Sequence, residues 1–191
     1  MNKNRMEAFS DGVFAIIITI MVLEMKVPHG TTLEALKPLL PVFLGYVLSF
    51  VYVAIYWNNH HHLLQAAHQV KGPILWANTH LLFWLSLLPF VTHWMGESRF
   101  AGLPVFLYCI VMFMAAIAYF LLSRTLVAHH GADSTLGRAV GRDAKGLVSL
   151  AAYGLALPLA FPLPWASVAI VAGVAVLWFI PDRRIERRLD S

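Results

Sequence analysis

The chain has 191 residues, 59% of them hydrophobic and 13% charged, with a formal net charge of +4 and a mean hydropathy of +0.69. Such apolar content lies well outside that of a water-soluble domain and predicts a membrane protein. The single cysteine, Cys109, excludes an intramolecular disulfide framework and a four-cysteine zinc site, and its place in an apolar run reads as helix packing.

The first apolar element is "RMEAFSDGVFAIIITIMVLEMKV", residues 5 to 27. The basic start "MNKNR" and the short run Gly12 to Leu23 have the outline of a signal peptide. However, Glu24, Met25, Lys26 and Val27 stand where a small-residue cleavage site is required, so a retained helix is expected. To reach the ~20 residues that a bilayer demands, this helix must begin before Asp11, which puts Ser10 and Asp11 inside it. A carboxylate at membrane depth costs roughly 2.5 kcal/mol or more, so it needs a partner. At about 100° per residue, Arg5, Phe9, Gly12, Ile16, Thr19, Ile20 and Leu23 share one stripe, while Glu7, Asp11, Ile18 and Val22 face the opposite way.

Further apolar stretches run from about 39 to 56, 74 to 94, 104 to 127, 147 to 161 and 165 to 180, which makes six spans in one transmembrane domain covering 1–191. The last two are short and joined by "PLPW", so a re-entrant pair is an alternative for them. With six crossings, Lys3, Arg5, Lys71, Arg124, Arg138, Arg142, Lys145, Arg183, Arg184, Arg187 and Arg188 share one side, against Lys26, Lys37 and Arg99 on the other. The positive-inside rule then makes both termini cytoplasmic in a cell (inner) membrane.

Donors for Asp11 and Ser10 occur in "YWNNHHHLLQ" (56–65) and "LWANTHLLFW" (75–84), on the same predicted side. Trp57, Asn59, His60, His61, Asn78 and His80 carry suitable N–H groups, and the expected arrangement is a hydrogen-bonded clamp between helices. A pH-sensitive switch is the functional alternative, since a histidine beside a carboxylate titrates near neutrality. His60, His61 and His62 also raise a metal- or haem-binding protein or enzyme as a second reading. Consecutive helical residues diverge by about 100°, and no carboxylate or cysteine cluster accompanies these three, so no metal and no cofactor is expected. Ser10 lacks a nucleophile-elbow context and reads as a packing hydroxyl.

The run Arg5-x-x-x-Phe9-Ser10-Asp11, followed by "GVFAI" and "LEMKVP", resembles the first-helix signature of the transmembrane protein 175 family, whose animal members are endolysosomal potassium channels. "YWNNHH" and "LWANTHLLFWLSLLPF" are similar to that family's second- and third-helix motifs, so the resemblance covers residues 5 to 97. It implies an all-α six-helix subunit in a homotetramer, with the first helix lining a central potassium-preferring pore that has no TVGYG filter. The hydrophobic constriction implied is Ile16, then Ile20 and Leu23, with Thr19 at the pore edge. The clamp implied comprises Arg5, Phe9, Ser10, Asp11, Trp57, His60, His61 and Asn78. Such a pore blocks permeation by dewetting at an aliphatic ring. His62, His80, Trp84 and His93 match no family position. Residues 128–146 read as a polar cytoplasmic loop, and "PDRRIERRLDS" as a topology-setting tail against anionic headgroups; nucleic-acid binding is not expected.

Overall fold

Helix α1 (Lys3–Leu23) runs unbroken through Ser10, Asp11 and Gly12, because the rest of its sequence is free of proline and rich in residues that tolerate helix. Its 21 residues span about 31 Å, close to the ~30 Å thickness of a bilayer's hydrocarbon core. The computed structural model describes residues 3–67, 70–131, 134, 137 and 144–179. Arg138, Arg142 and the arginine-rich tail lie outside the described residues.

A 3-10 segment, Leu33–Leu39, leads into α2 (Leu40–Gln65), whose first turn accepts Pro41 because the first turn has no amide to lose. This helix continues well past the apolar run that ends at Tyr56, so Trp57 to His62 are helical residues. The single span expected from 74 to 94 is two helices, α3 (Gly72–Ser86) and α4 (Leu88–Glu97), meeting at Leu87. Pro89 explains the break: it cannot donate to the Leu85 carbonyl, and its ring crowds that position.

Next come α5 (Gly102–His130), α6 (Ala144–Leu159) and α7 (Pro164–Phe179). The expected loop at 128–146 is therefore partly helix, since α5 reaches His130 and α6 starts at Ala144. Among the described residues the secondary structure is helical throughout. Lys3–Leu23, Leu33–Gln65, Gly72–Glu97 and Gly102–His130 are long and apolar enough to cross a membrane, and α6 and α7 are shorter apolar helices.

Helix α5 is the hub, packing on α3, α4, α6 and α7. Its small residues Cys109, Ala115 and Ala118 are fully buried and let neighbours approach closely. At the α2/α4 crossing a Cβ on Gly96 would lie 2.5 Å from the Val42 Cα, so only glycine permits that backbone contact. The Ser49 hydroxyl lies 2.7 Å from that of Thr92 and 3.1 Å from that of Tyr108, tying α2, α4 and α5 together. Helix α1 packs on α2, α3 and α4 at the edge of the bundle. It buries Met6, Ser10, Phe14, Ile17 and Met21 there, a stripe lying between the two faces read from the sequence.

Candidate pore helix and its anchoring network

The side-chain contacts of Ser10 and Asp11 with neighbouring helices fall into two arms, one buried and one exposed. In the first, the Asn78 amide Nδ2 donates to Ser10 Oγ at 3.0 Å, and Ser10 Oγ donates to the Met6 carbonyl at 2.8 Å. The amide oxygen Oδ1 of Asn78 lies 2.7 Å from His60 Nε2. Because an amide oxygen only accepts, His60 must present Nε2–H to it, which sets the tautomer of the neutral ring. All three side chains are buried, and the edge of the His60 ring meets Phe14 of α1 at 5.7 Å between centroids. One amide thus joins α1, α2 and α3.

In the second arm, Trp57 Nε1 donates to Asp11 Oδ1 at 2.9 Å on the exposed side of α1. His61 stacks on the Trp57 indole, 6.0 Å between centroids and 20° between planes, and holds that ring in place. The carboxylate and the serine therefore have separate partners, because they point about 100° apart on the same helix.

Arg5 and Phe9 sit apart from both arms. They lie on the outward stripe of α1, where Phe9 is 59% exposed, and among the described residues Arg5 meets no hydrogen-bond or ion-pair partner. Within the single subunit, helical geometry turns both side chains away from Ser10. Asn59 donates to the Ile55 carbonyl of its own helix, and His80 accepts from Trp84 Nε1 at 2.9 Å, so neither reaches Asp11. These same contacts point His60, His61 and His80 at different partners, and the described residues contain no group of three His, Cys, Asp or Glu side chains able to hold a metal ion.

The other end of α1 has a tether that the sequence reading did not identify. Lys26 Nζ donates to Glu97 Oε1 at 2.8 Å, and His93 Nε2 stands 3.6 Å from Glu97 Oε2 and 3.9 Å from Glu24 Oε2. The hydrogen bond to Glu97, and next its negative charge, raise the Lys26 pKa above the ordinary lysine value. The available signal was the i, i+4 spacing of His93 and Glu97 opposite the charged end of the first span.

Between these anchors the outward stripe is bare: Ile16 is 58% exposed, Ile20 40% and Leu23 81%. Thr19, on the same stripe, donates its hydroxyl to the Ile16 carbonyl at 2.9 Å.

Residues 5–89 match the family model described as endosomal/lysosomal potassium channel TMEM175. A potassium channel of Chryseobacterium sp. (strain P1-3) is 51% identical over 191 residues, the whole of both chains. The chain belongs to the TMEM175 family. That family is one of ion channels and not of enzymes. The endosomal/lysosomal proton channel TMEM175 of Bos taurus is 32% identical over 181 residues, covering 84% of this chain but only 37% of that longer protein. In three dimensions the chain resembles the crystal structure of a lysosomal potassium-selective channel TMEM175 homolog from Chamaesiphon minutus. That likeness has a TM-score of 0.79 and 29% identity over 93% of this chain and 96% of that one.

Proposed function

We propose that this TMEM175-family protein is a potassium-preferring cation channel in which four copies place α1 around a central axis, with both termini on the cytoplasmic side of the cell (inner) membrane. The observation that carries this reading is the outward stripe of α1. A face turned to lipid has no use for a cation or a hydroxyl, yet Arg5 and Thr19 stand on it in line with Ile16, Ile20 and Leu23. A face turned to a water-filled axis accommodates all five.

On this reading Ile16 forms the narrowest ring, with Ile20 and Leu23 one and two turns further along. Aliphatic side chains converging on an axis exclude water and so block ions until the ring widens. Thr19 adds a partial charge. Its proton is committed to the Ile16 carbonyl, so the oxygen lone pairs remain for a passing cation. Sodium holds its hydration shell more tightly than potassium, so a dry constriction disfavours it more. The Ser10–Asn78–His60 and Asp11–Trp57 contacts set the rotation of α1 that aims Ile16 at the axis.

The test is ion flux into liposomes, with subunit stoichiometry measured by light scattering on the same preparations. Ile16→Asn should raise permeation and reduce the preference for potassium over sodium, whereas Ile18→Asn, on the side packed against the core, should mainly disturb folding. Unchanged potassium and sodium flux in correctly assembled Ile16→Asn protein would remove α1 from the pore.

A further inference from the structure

A half-open cavity of about 470 Å³, counting its mouth, lies between α2, α5, α6 and α7, on walls that α1 does not share. Ile55, Ala116 and Leu150 contribute aliphatic surface, and Tyr119, Phe120 and Trp178 contribute rings.

Most of the polar side chains around it are engaged in hydrogen bonds, the Tyr56 hydroxyl being the exception among the lining groups. Tyr119 donates to the Asn59 carbonyl at 3.3 Å, Asn59 Nδ2 to the Ile55 carbonyl at 2.7 Å, and Trp178 Nε1 to Ser149 Oγ at 2.9 Å. Tyr153 donates to Tyr52 at 3.0 Å, and Tyr52 donates to the Val171 carbonyl. The interior therefore offers ring faces and methyl groups, which suit a hydrocarbon chain better than a hydrogen-bonding solute.

Two of the lining rings carry cations. Arg124 Cζ lies 5.0 Å from the centroid of the Phe120 ring, and Lys145 Nζ lies 6.0 Å from that of Trp178. Arg124 is near the C-terminal end of α5, Lys145 near the start of α6 and Trp178 near the end of α7, so all three mark the same end of the bundle. Tryptophan and basic side chains at one level are what a headgroup region favours.

We propose that this cavity is a binding site for an anionic membrane phospholipid, with one acyl chain between α2, α5 and α6 and the phosphate held by Arg124 and Lys145. Guanidinium and ammonium groups supply charge-assisted contacts to phosphate oxygens, while their ring partners keep both side chains at the mouth. The site is independent of the pore reading, since it uses no residue of α1.

The experiment is native mass spectrometry of the purified full chain titrated with phosphatidylglycerol, with phosphatidylcholine of the same acyl chains, and with soluble glycerol phosphate. Wild-type protein should retain phosphatidylglycerol preferentially and ignore glycerol phosphate. Each basic residue near a headgroup is worth on the order of fivefold, so Arg124→Ala with Lys145→Ala should cut the preference roughly 25-fold. Ala116→Phe should fill the cavity and lower retention of both lipids. Leu150→Trp, on the other wall, serves the same purpose should the first variant not fold. Equal retention of the two lipids, an undiminished preference in the double variant, or unaffected binding in the folded filled variants would each overturn the site. Glycerol phosphate binding as well as the lipid would reduce it to an anion contact and overturn the acyl-chain assignment.

Discussion

Replacing Asn78 with alanine should separate the first three helices at their polar junction. The wild-type amide makes two interhelical hydrogen bonds, to Ser10 of α1 at 3.0 Å and with His60 of α2 at 2.7 Å, from a position 2% exposed. Its loss leaves the His60 Nε2–H without a partner, because that ring is itself only 2% exposed. Ser10 keeps its bond to the Met6 carbonyl and loses only an accepted one. An unpaired buried donor costs about 1–3 kcal/mol. Counting instead two interhelical bonds at about 0.6–1.7 kcal/mol each in a membrane leads to nearly the same range. For a chain of this size 1 kcal/mol lowers Tm by about 2–4 °C, so the expected fall is about 2–12 °C. Thermal unfolding of purified protein in detergent measures it, with Thr79→Ala, an exposed neighbour bonded only within its own helix, as the control. If Asn78→Ala and Thr79→Ala unfold at the same temperature as wild type, the amide is not the junction described here.

Asp11→Ala removes the acceptor of the Trp57 indole and should lower the yield of assembled protein on size-exclusion chromatography, whereas Asp11→Asn keeps an acceptor oxygen and should recover most of it. Gly96→Ala drives a methyl group into the Val42 backbone, an overpacking cost of about 1–3 kcal/mol by thermal unfolding; Gly45→Ala, whose nearest neighbours would stand at 3.5 Å, should be tolerated. The Lys26 pKa is raised above its unfolded value, so the stabilisation from its bond to Glu97 is complete below the ordinary lysine pKa and is lost only as pH rises through the higher folded value. Lys26→Met should therefore cause the same small Tm change at pH 8 as at pH 9, both below the ordinary lysine pKa, and the change should shrink in high salt because the pair is exposed.

Much of this architecture could be read from order along the chain. Hydropathy and length alone separate the membrane helices, because hydrocarbon penalises any backbone amide not bonded within its own segment. The same penalty required Asp11 and Ser10 to find donors and pointed to the end of the second span and the start of the third. Which donor each would take was beyond the pattern. Trp57, Asn59, His60, His61, Asn78 and His80 were equivalent as residue types, and helix rotation chose Trp57 for Asp11 and Asn78 for Ser10 while sending Asn59 and His80 back to their own helices. The break at Leu87 was written in Pro89 yet hidden within a continuous apolar run, where hydropathy does not register a missing amide. Periodicity likewise placed Arg5 on the stripe of Ile16, but only packing revealed that the buried face of α1 is a third one, Met6 to Met21, lying between the two inferred. The tether of Lys26 and His93 to Glu97, and the cavity flanked by Arg124 and Lys145, join residues far apart in sequence. A one-dimensional pattern carries period and polarity, whereas such contacts depend on the crossing of helices that are brought together only when the bundle packs.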